Sequence, residues 1–228
     1  SRSGGPAAIE KAWPCLSHAD RNTRYAARLA VENQDLGLWQ DRVFSESNPR
    51  TVIYAAIALC RHGGKSLSGR VQEKLNSLPF ESLEPDDRLA LLRAYSLCLI
   101  RLNAPSPAEV AALVARLNPF YPAKDETLNT ELCRLLSYLD SPDVVSKTIA
   151  LMKVTQTKAL AYDKAMLARH EYGEAILKTM ANAPNSQNIH YAYSIRRVQS
   201  GWNHDLAAEG GLQRSIAADV VGVRVGIY

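Results

Sequence analysis

The sequence predicts an all-α protein, a right-handed α-α superhelix of about five helical hairpins. Small and aliphatic residues lie on one helical face over residues 55–63, and a turn ends that segment. Variants of this pattern return at residues 25–30, 89–102, 128–139 and 189–198. Their spacing, roughly 30 to 40 residues, is typical of stacked helical hairpins, an α-solenoid.

Turn residues and prolines divide the chain into predicted helices. Asp20, Asn48, Ser106 and Ser141 are predicted N-caps, because a side-chain oxygen can accept a hydrogen bond from an unpaired N–H of the first turn. We expect helices over residues 7–16, 21–32, 35–45, 49–62, 69–78, 85–102, 107–117, 124–139, 142–154, 158–181 and 186–200.

Three segments differ in character. Residues 1–6 have the composition of a linker or an added segment, and residues 7–202 carry the helical repeat. Residues 203–228 are atypical, because apolar and small residues alternate near the end and favour an irregular or strand-prone tail.

The four cysteines follow the repeat. Cys15, Cys60, Cys98 and Cys133 are separated by 45, 38 and 35 residues, and each has apolar neighbours. No spacing typical of a zinc site occurs, so we interpret them as small core residues.

The charge and the hydropathy of the chain indicate which classes of function are less favoured. The net charge is +4, but the 27 basic and 23 acidic residues are mixed along the chain. This mixing does not favour dedicated nucleic-acid binding. No apolar run is long enough to cross a membrane.

The turn before the second helix carries a family pattern. Asp20 lies in the turn and Arg24 follows early in the helix, before small residues. In this respect residues 16–27 resemble a HEAT-type repeat of the HEAT/armadillo class. The resemblance implies that Asp20 caps backbone N–H groups and that Arg24 ties neighbouring turns together.

Two further stretches, residues 128–136 and 187–196 with Gly201-Trp202, resemble the HEAT region of large exported bacterial proteins. Those proteins also carry a dehydrogenase-like propeller and a c-type haem domain. The resemblance spans residues 8–202 and implies a spacer or docking module of an exported parent protein. Because the chain has no CxxCH, it predicts no covalently attached haem, and we expect no cofactor.

The densest aromatic and basic cluster lies near the end of the repeat. Helical spacing places His190, Tyr193 and Arg197 on one face and Tyr191 on another. Such groups can bind a partner, whereas the alternative is a final helix whose tyrosines close the core. The predicted partner-binding residues are His190, Tyr193, Arg196, Arg197 and Trp202.

The remaining motifs predict no catalytic residue and no metal site. The adjacent acids Asp86-Asp87 and Asp125-Glu126 stand at helix starts, where they complement the helix dipole. Gly63-Gly64-Lys65-Ser66 follows a helix, so we interpret it as a linker and not as a phosphate loop.

Two hypotheses for function follow. The first is a non-catalytic protein-interaction scaffold, with a protein partner on the inner face and end-to-end homodimerisation through an uncapped terminal hairpin. The second is an enzyme on a helical-repeat frame, a DNA-glycosylase-like or other hydrolase. A continuous basic groove with a central carboxylate would favour the second hypothesis.

Overall fold

The computed structural model describes residues 4–156 and 186–202, and within them the chain is all-helical, as predicted. These residues form ten α-helices and contain no strand. The chain divides into two compact units, and the boundary lies between Leu113 and Val114, inside one helix. The predicted helix over residues 158–181 and the predicted tail over residues 203–228 lie outside the described residues.

The first unit contains six complete helices before the helix that spans the boundary. Two predicted helices each divide in two, because short 3-10 helices cover Trp13–Ser17 and Leu36–Leu38. The α-helices are α1 Gly5–Ala12, α2 Arg21–Glu32, α3 Gln40–Ser45, α4 Pro49–His62, α5 Ser68–Asn76, α6 Pro85–Arg101 and the boundary helix α7 Pro107–Leu117.

Helices α1 to α6 pack as two layers. In the second layer, α4 lies between α2 and α6 and contacts both. In the first layer, α3 contacts α5, while α1, α3 and α5 pack on α2, α4 and α6 respectively. The side chains of Trp39, Ile53 and Leu59 are fully buried in the core of this unit.

The hydrogen bonds at the first turns of the helices show which predicted N-caps are correct. Asp20 accepts a hydrogen bond from the Thr23 N–H at 2.7 Å, and Asn48 accepts one from the Thr51 N–H at 3.1 Å. Ser106 forms a reciprocal capping box with Glu109. The cap predicted at Ser141 is wrong, because its hydroxyl is buried without a hydrogen-bond partner.

The described part of the second unit is a three-helix group of α8 Glu126–Tyr138, α9 Val144–Gln156 and α10 Ser186–Ile195, in mutual contact. At one end, the Gln187 amide donates to the Glu126 carbonyl at 3.2 Å. At the other end, Asp140 follows α8 and accepts hydrogen bonds from residues that follow α10. Helices α8 and α10 are therefore parallel neighbours.

The Asp140 contact fixes the segment that follows α10. Its carboxylate accepts hydrogen bonds from the N–H groups of Gln199 and Ser200, at 2.8 and 3.0 Å, and from the Ser200 hydroxyl at 2.7 Å. Asp140 has φ 53 and Gly201 has φ 76. A Cβ at Gly201 would lie 2.2 Å from the Pro142 carbonyl oxygen, so only glycine fits this approach.

We expect Gly201→Ala to lower the free energy of unfolding of the second unit by about 2 kcal/mol or more, because a positive φ and a backbone clash act together. Hydrogen exchange measures the effect in peptides from α8 and α10, and peptides from α4 and α5 measure that of the control substitution in the first unit. Gly64→Ala is the matched control, because its φ is negative and its nearest atom lies 3.9 Å away. Equal, small effects of both substitutions would contradict this account.

Asp140 also makes stability depend on pH. Hydrogen bonds from the Ser200 backbone and hydroxyl hold the pKa of Asp140 below its ordinary value. The stabilisation is present above the unfolded pKa of about 3.9 and is lost as pH falls through the lower folded pKa. In urea unfolding, the stability difference between wild type and Asp140→Asn should be constant near neutral pH and shrink below about pH 4. A difference that does not change with pH would contradict this.

Candidate functional site

Of the predicted partner-binding residues, His190 and Tyr193 lie on the solvent face of α10, whereas Arg196, Arg197 and Trp202 follow its last residue, Ile195, because the helix ends before the predicted residue 200. His190 and Arg197 are exposed, and Tyr193 is 55% exposed. Tyr191 lies on the opposite side and is buried. The helical spacing therefore separated the two tyrosines correctly, one on the surface and one in the core.

Tyr193 is held by a cation–π contact. The Arg196 guanidinium carbon lies 3.2 Å from the centroid of the Tyr193 ring. Arg196 is half-buried, so the pair presents a phenol ring backed by a positive charge. A ring fixed in this way loses little further side-chain entropy when a partner covers it.

Trp202 has a different environment. It is half-buried, and its indole N–H donates to the Val198 carbonyl at 2.9 Å. It directly follows Gly201, in the segment that Asp140 fixes. Another residue of the 187–202 stretch, Asn188, donates a hydrogen bond to the Met152 carbonyl at 3.2 Å. This contact links α10 to α9.

Helix α8 extends the exposed face of α10, which the sequence did not reveal. Residues of both helices that point towards α9 are buried, so the exposed ones lie on the side away from α9. On α8, Arg134 pairs with Glu131 at 3.1 Å, and Tyr138 is exposed. We name this surface the α8–α10 face; it comprises Glu131, Arg134, Tyr138, His190, Tyr193 and Arg197.

In the first unit, Asp20 and Arg24 organise the turn before α2. The Thr23 backbone N–H holds the pKa of Asp20 below its ordinary value. Arg24 is buried and donates to the carbonyls of His18 and Ala19, both at 2.7 Å. Its guanidinium also lies over the Tyr54 ring of α4, at 5.1 Å. Arg24 thus closes its own turn and stacks on the next helix of its layer.

A buried carboxylate lies between α2 and α4. The Glu32 side chain is 4% exposed and accepts hydrogen bonds from Arg28 at 2.5 Å and Arg61 at 3.2 Å. His62 Nε2 lies 3.6 Å from the same carboxylate. Because each carboxylate oxygen already receives an arginine N–H, Glu32 is suited to joining two helices and not to removing a proton from a substrate.

A second ion pair joins α4 to α6. The Arg50 Nε lies 2.9 Å from both carboxylate oxygens of Asp87, which is buried. The Asp87 carboxylate therefore does more than complement the helix dipole. A polar cleft of about 270 Å³ opens beside this pair and is lined by Asn48, Ser82 and Glu84, among others.

The cysteines are core thiols, as predicted, with one exception. Cys60, Cys98 and Cys133 are buried and free, whereas Cys15 is half-buried. A hydrogen bond with Cys98, together with burial, raises the pKa of Cys60, and burial raises the pKa of Cys133. Both thiols are therefore protonated at neutral pH and unsuited to nucleophilic attack.

The described residues contain no group of three or more His, Cys, Asp or Glu side chains that could hold a metal ion. Among the same residues, no helix is both long and apolar enough to span a membrane. No family model, curated protein or solved structure matches the chain.

We expect Glu32→Gln to lower the free energy of unfolding by about 3 kcal/mol, because the buried Arg28 loses its counter-charge and Arg61 loses its salt bridge across the two helices. Glu10→Gln is the control: the Glu10 carboxylate pairs with Arg42 at 2.6 Å but is 68% exposed, so the change should be below about 1 kcal/mol. Urea denaturation measures both, and equal effects would show that burial of the Glu32 pair does not matter.

Proposed function

We propose that this chain is a non-catalytic protein-interaction module, a HEAT-like α-solenoid that binds a protein partner through the α8–α10 face. The observation that carries the proposal is the Arg196-backed Tyr193 ring, exposed between His190 and Arg197. Tyrosine and arginine are the residue types most often found at the energetic centre of protein interfaces.

The solenoid part of the proposal is supported by the packing within each unit. In the first unit, α2, α4 and α6 pack in chain order, each accompanied by the helix that precedes it. In the second unit, α8 and α10 are parallel neighbours with α9 against both. Consecutive stacking of equivalent helices is what a solenoid requires. A spacer or docking role within a larger exported protein would be consistent with such an arrangement.

The α8–α10 face has the composition of a binding surface. It places two exposed tyrosines, Tyr138 and Tyr193, on one side of a packed helix pair. Among the charged residues of this face, Glu131 is paired with Arg134, and Arg197 adds a further positive charge. Positive charge is therefore in excess. Rigid aromatic anchors in a polar rim suit a protein partner with complementary acidic groups.

The alternative, an enzyme on a helical-repeat frame, has less support. The feature that would favour an enzyme is a continuous basic groove with a central carboxylate. Glu32 is a carboxylate among basic side chains, but Arg28 and Arg61 engage both of its oxygens. No specific observation therefore favours hydrolysis over binding.

The test begins with capture of the partner. Tyr193 is replaced by a photo-reactive phenylalanine analogue, the chain is irradiated in cells of its source organism, and the adduct is identified by mass spectrometry. The captured protein is then purified and titrated calorimetrically. Tyr193→Ala/Arg197→Ala should weaken its binding at least about tenfold, because the exposed aromatic ring and a neighbouring positive charge of the face are both removed.

Leu38→Ala/Lys11→Ala is the matched control. Both residues are exposed in the first unit, and the pair also removes one apolar and one cationic side chain. Its affinity should stay within about twofold of wild type, since neither residue lies in the α8–α10 face. An equal loss in both double variants, or an adduct formed as readily from position 38, would refute the proposed site.

A further inference from the structure

We infer a second binding surface in the first unit: the exposed side of α2, α4 and α6 takes an acidic, partly apolar segment of a partner protein. This inference rests on the proposed function in one respect, that the chain is a binding module. It concerns a different surface, which we name the second-layer face. This face is defined by Arg21, Tyr25, Tyr54, Arg61, Arg93, Leu97, Ile100 and Arg101.

The charges of the two layers differ. The second-layer helices α2, α4 and α6 carry eight arginines, no lysine and three carboxylates. The first-layer helices α1, α3 and α5 carry four basic and three acidic residues. Positive charge is thus concentrated in one layer of the unit, although it is mixed along the sequence.

The carboxylates of the second layer do little to neutralise its surface. Glu32 and Asp87 are buried, and their arginine partners already balance them. Asp86 is the only exposed carboxylate on these three helices. Exposed cations therefore dominate the face, and Arg21, Arg93 and Arg101 form no ion pair within the described residues.

Helical spacing aligns these cations with apolar groups. On α2, Arg21 and Tyr25 are one turn apart, and both are exposed. The Arg28 guanidinium lies 5.2 Å from the centroid of the Tyr25 ring. On α6, the exposed stripe continues from Arg93 to Ile100, which is 72% exposed. Between them, α4 presents Tyr54 and Arg61.

The side chains indicate the chemistry of the occupant. Arginine forms paired, parallel hydrogen bonds to carboxylates, which lysine cannot do. Tyr25 and Ile100 are large exposed hydrophobic groups, which an apolar side chain would cover. A segment that alternates acidic and apolar residues satisfies both features. A nucleic-acid backbone could pair with the exposed arginines but would leave the apolar side chains of Tyr25 and Ile100 uncovered, so a protein segment is favoured.

The experiment uses the full chain and three fluorescein-labelled probes. One is a peptide that alternates paired glutamates with leucine, one has glutamine in place of each glutamate, and one is an oligothymidylate of equal charge. Fluorescence anisotropy should show that the glutamate peptide binds at least about tenfold tighter than the glutamine peptide. Its affinity should fall as salt rises from about 50 to about 200 mM.

Arg21→Glu/Arg93→Glu should weaken binding of the glutamate peptide about tenfold or more, because two attractive charges become repulsive. Lys11→Glu/Lys124→Glu changes the net charge equally at exposed positions outside the face and should stay within about twofold. Circular dichroism checks that both variants fold. If the charge-reversal variant does not fold, the single variant Arg93→Gln replaces it in the binding measurement.

Four outcomes would overturn the inference: absence of peptide binding, equal binding of the glutamine peptide, an equal loss in the lysine control, or tighter binding of oligothymidylate. The variant Tyr193→Ala/Arg197→Ala separates this inference from the proposed function. It should leave peptide affinity unchanged, and a loss would move the acidic-segment site to the α8–α10 face. Failure of the peptide experiment leaves partner capture at position 193 standing.

Discussion

The burial of α4 is the constraint on which the first unit depends. From Thr51 to Cys60 every side chain of this helix is buried except Tyr54, which is half-buried. Three alanines, Ala55, Ala56 and Ala58, are among the buried residues, and their small side chains let neighbouring helices approach closely. Helix α4 contacts α2, α3, α5 and α6, so its position fixes both layers.

The polar contacts follow from that packing. A helix enclosed on most sides leaves only its ends and one narrow stripe for charged groups. The Arg50–Asp87 pair lies at the start of α4, and the contact of Arg61 with Glu32 lies at its end. Both pairs hold the second layer together, and the arginines around them give its exposed face a positive charge. Arg61 belongs both to one of these ion pairs and to the second-layer face.

Local features could be predicted from the sequence, and contacts distant in sequence could not. The bounds of α2 match the prediction, because Asp20 caps it within three residues. By contrast, Ser141 resembled Ser106 as a cap, yet its hydroxyl is buried. A proline follows each serine, so local sequence alone could not separate them. The packing of α8, α9 and α10 determines the environment of Ser141.

The residues of the proposed binding face show the same difference between local and distant contacts. Helical spacing placed Tyr193 and Tyr191 on opposite sides of α10, since that requires only one helix. Arg28 and Glu32 are one turn apart on α2, but only the packing of α4 brings Arg61 and His62 to the same carboxylate. Likewise, Tyr138 becomes part of the α8–α10 face only because two helices about 60 residues apart in sequence are parallel neighbours.

The most direct test of the central claim is hydrogen–deuterium exchange of the chain alone and with its captured partner. The account predicts that the partner slows exchange in peptides covering residues 131–138 and 190–197, because a docked surface suppresses local opening of the helices beneath it. Protection confined to other parts of the chain, with these two peptides unchanged, would contradict binding through the α8–α10 face.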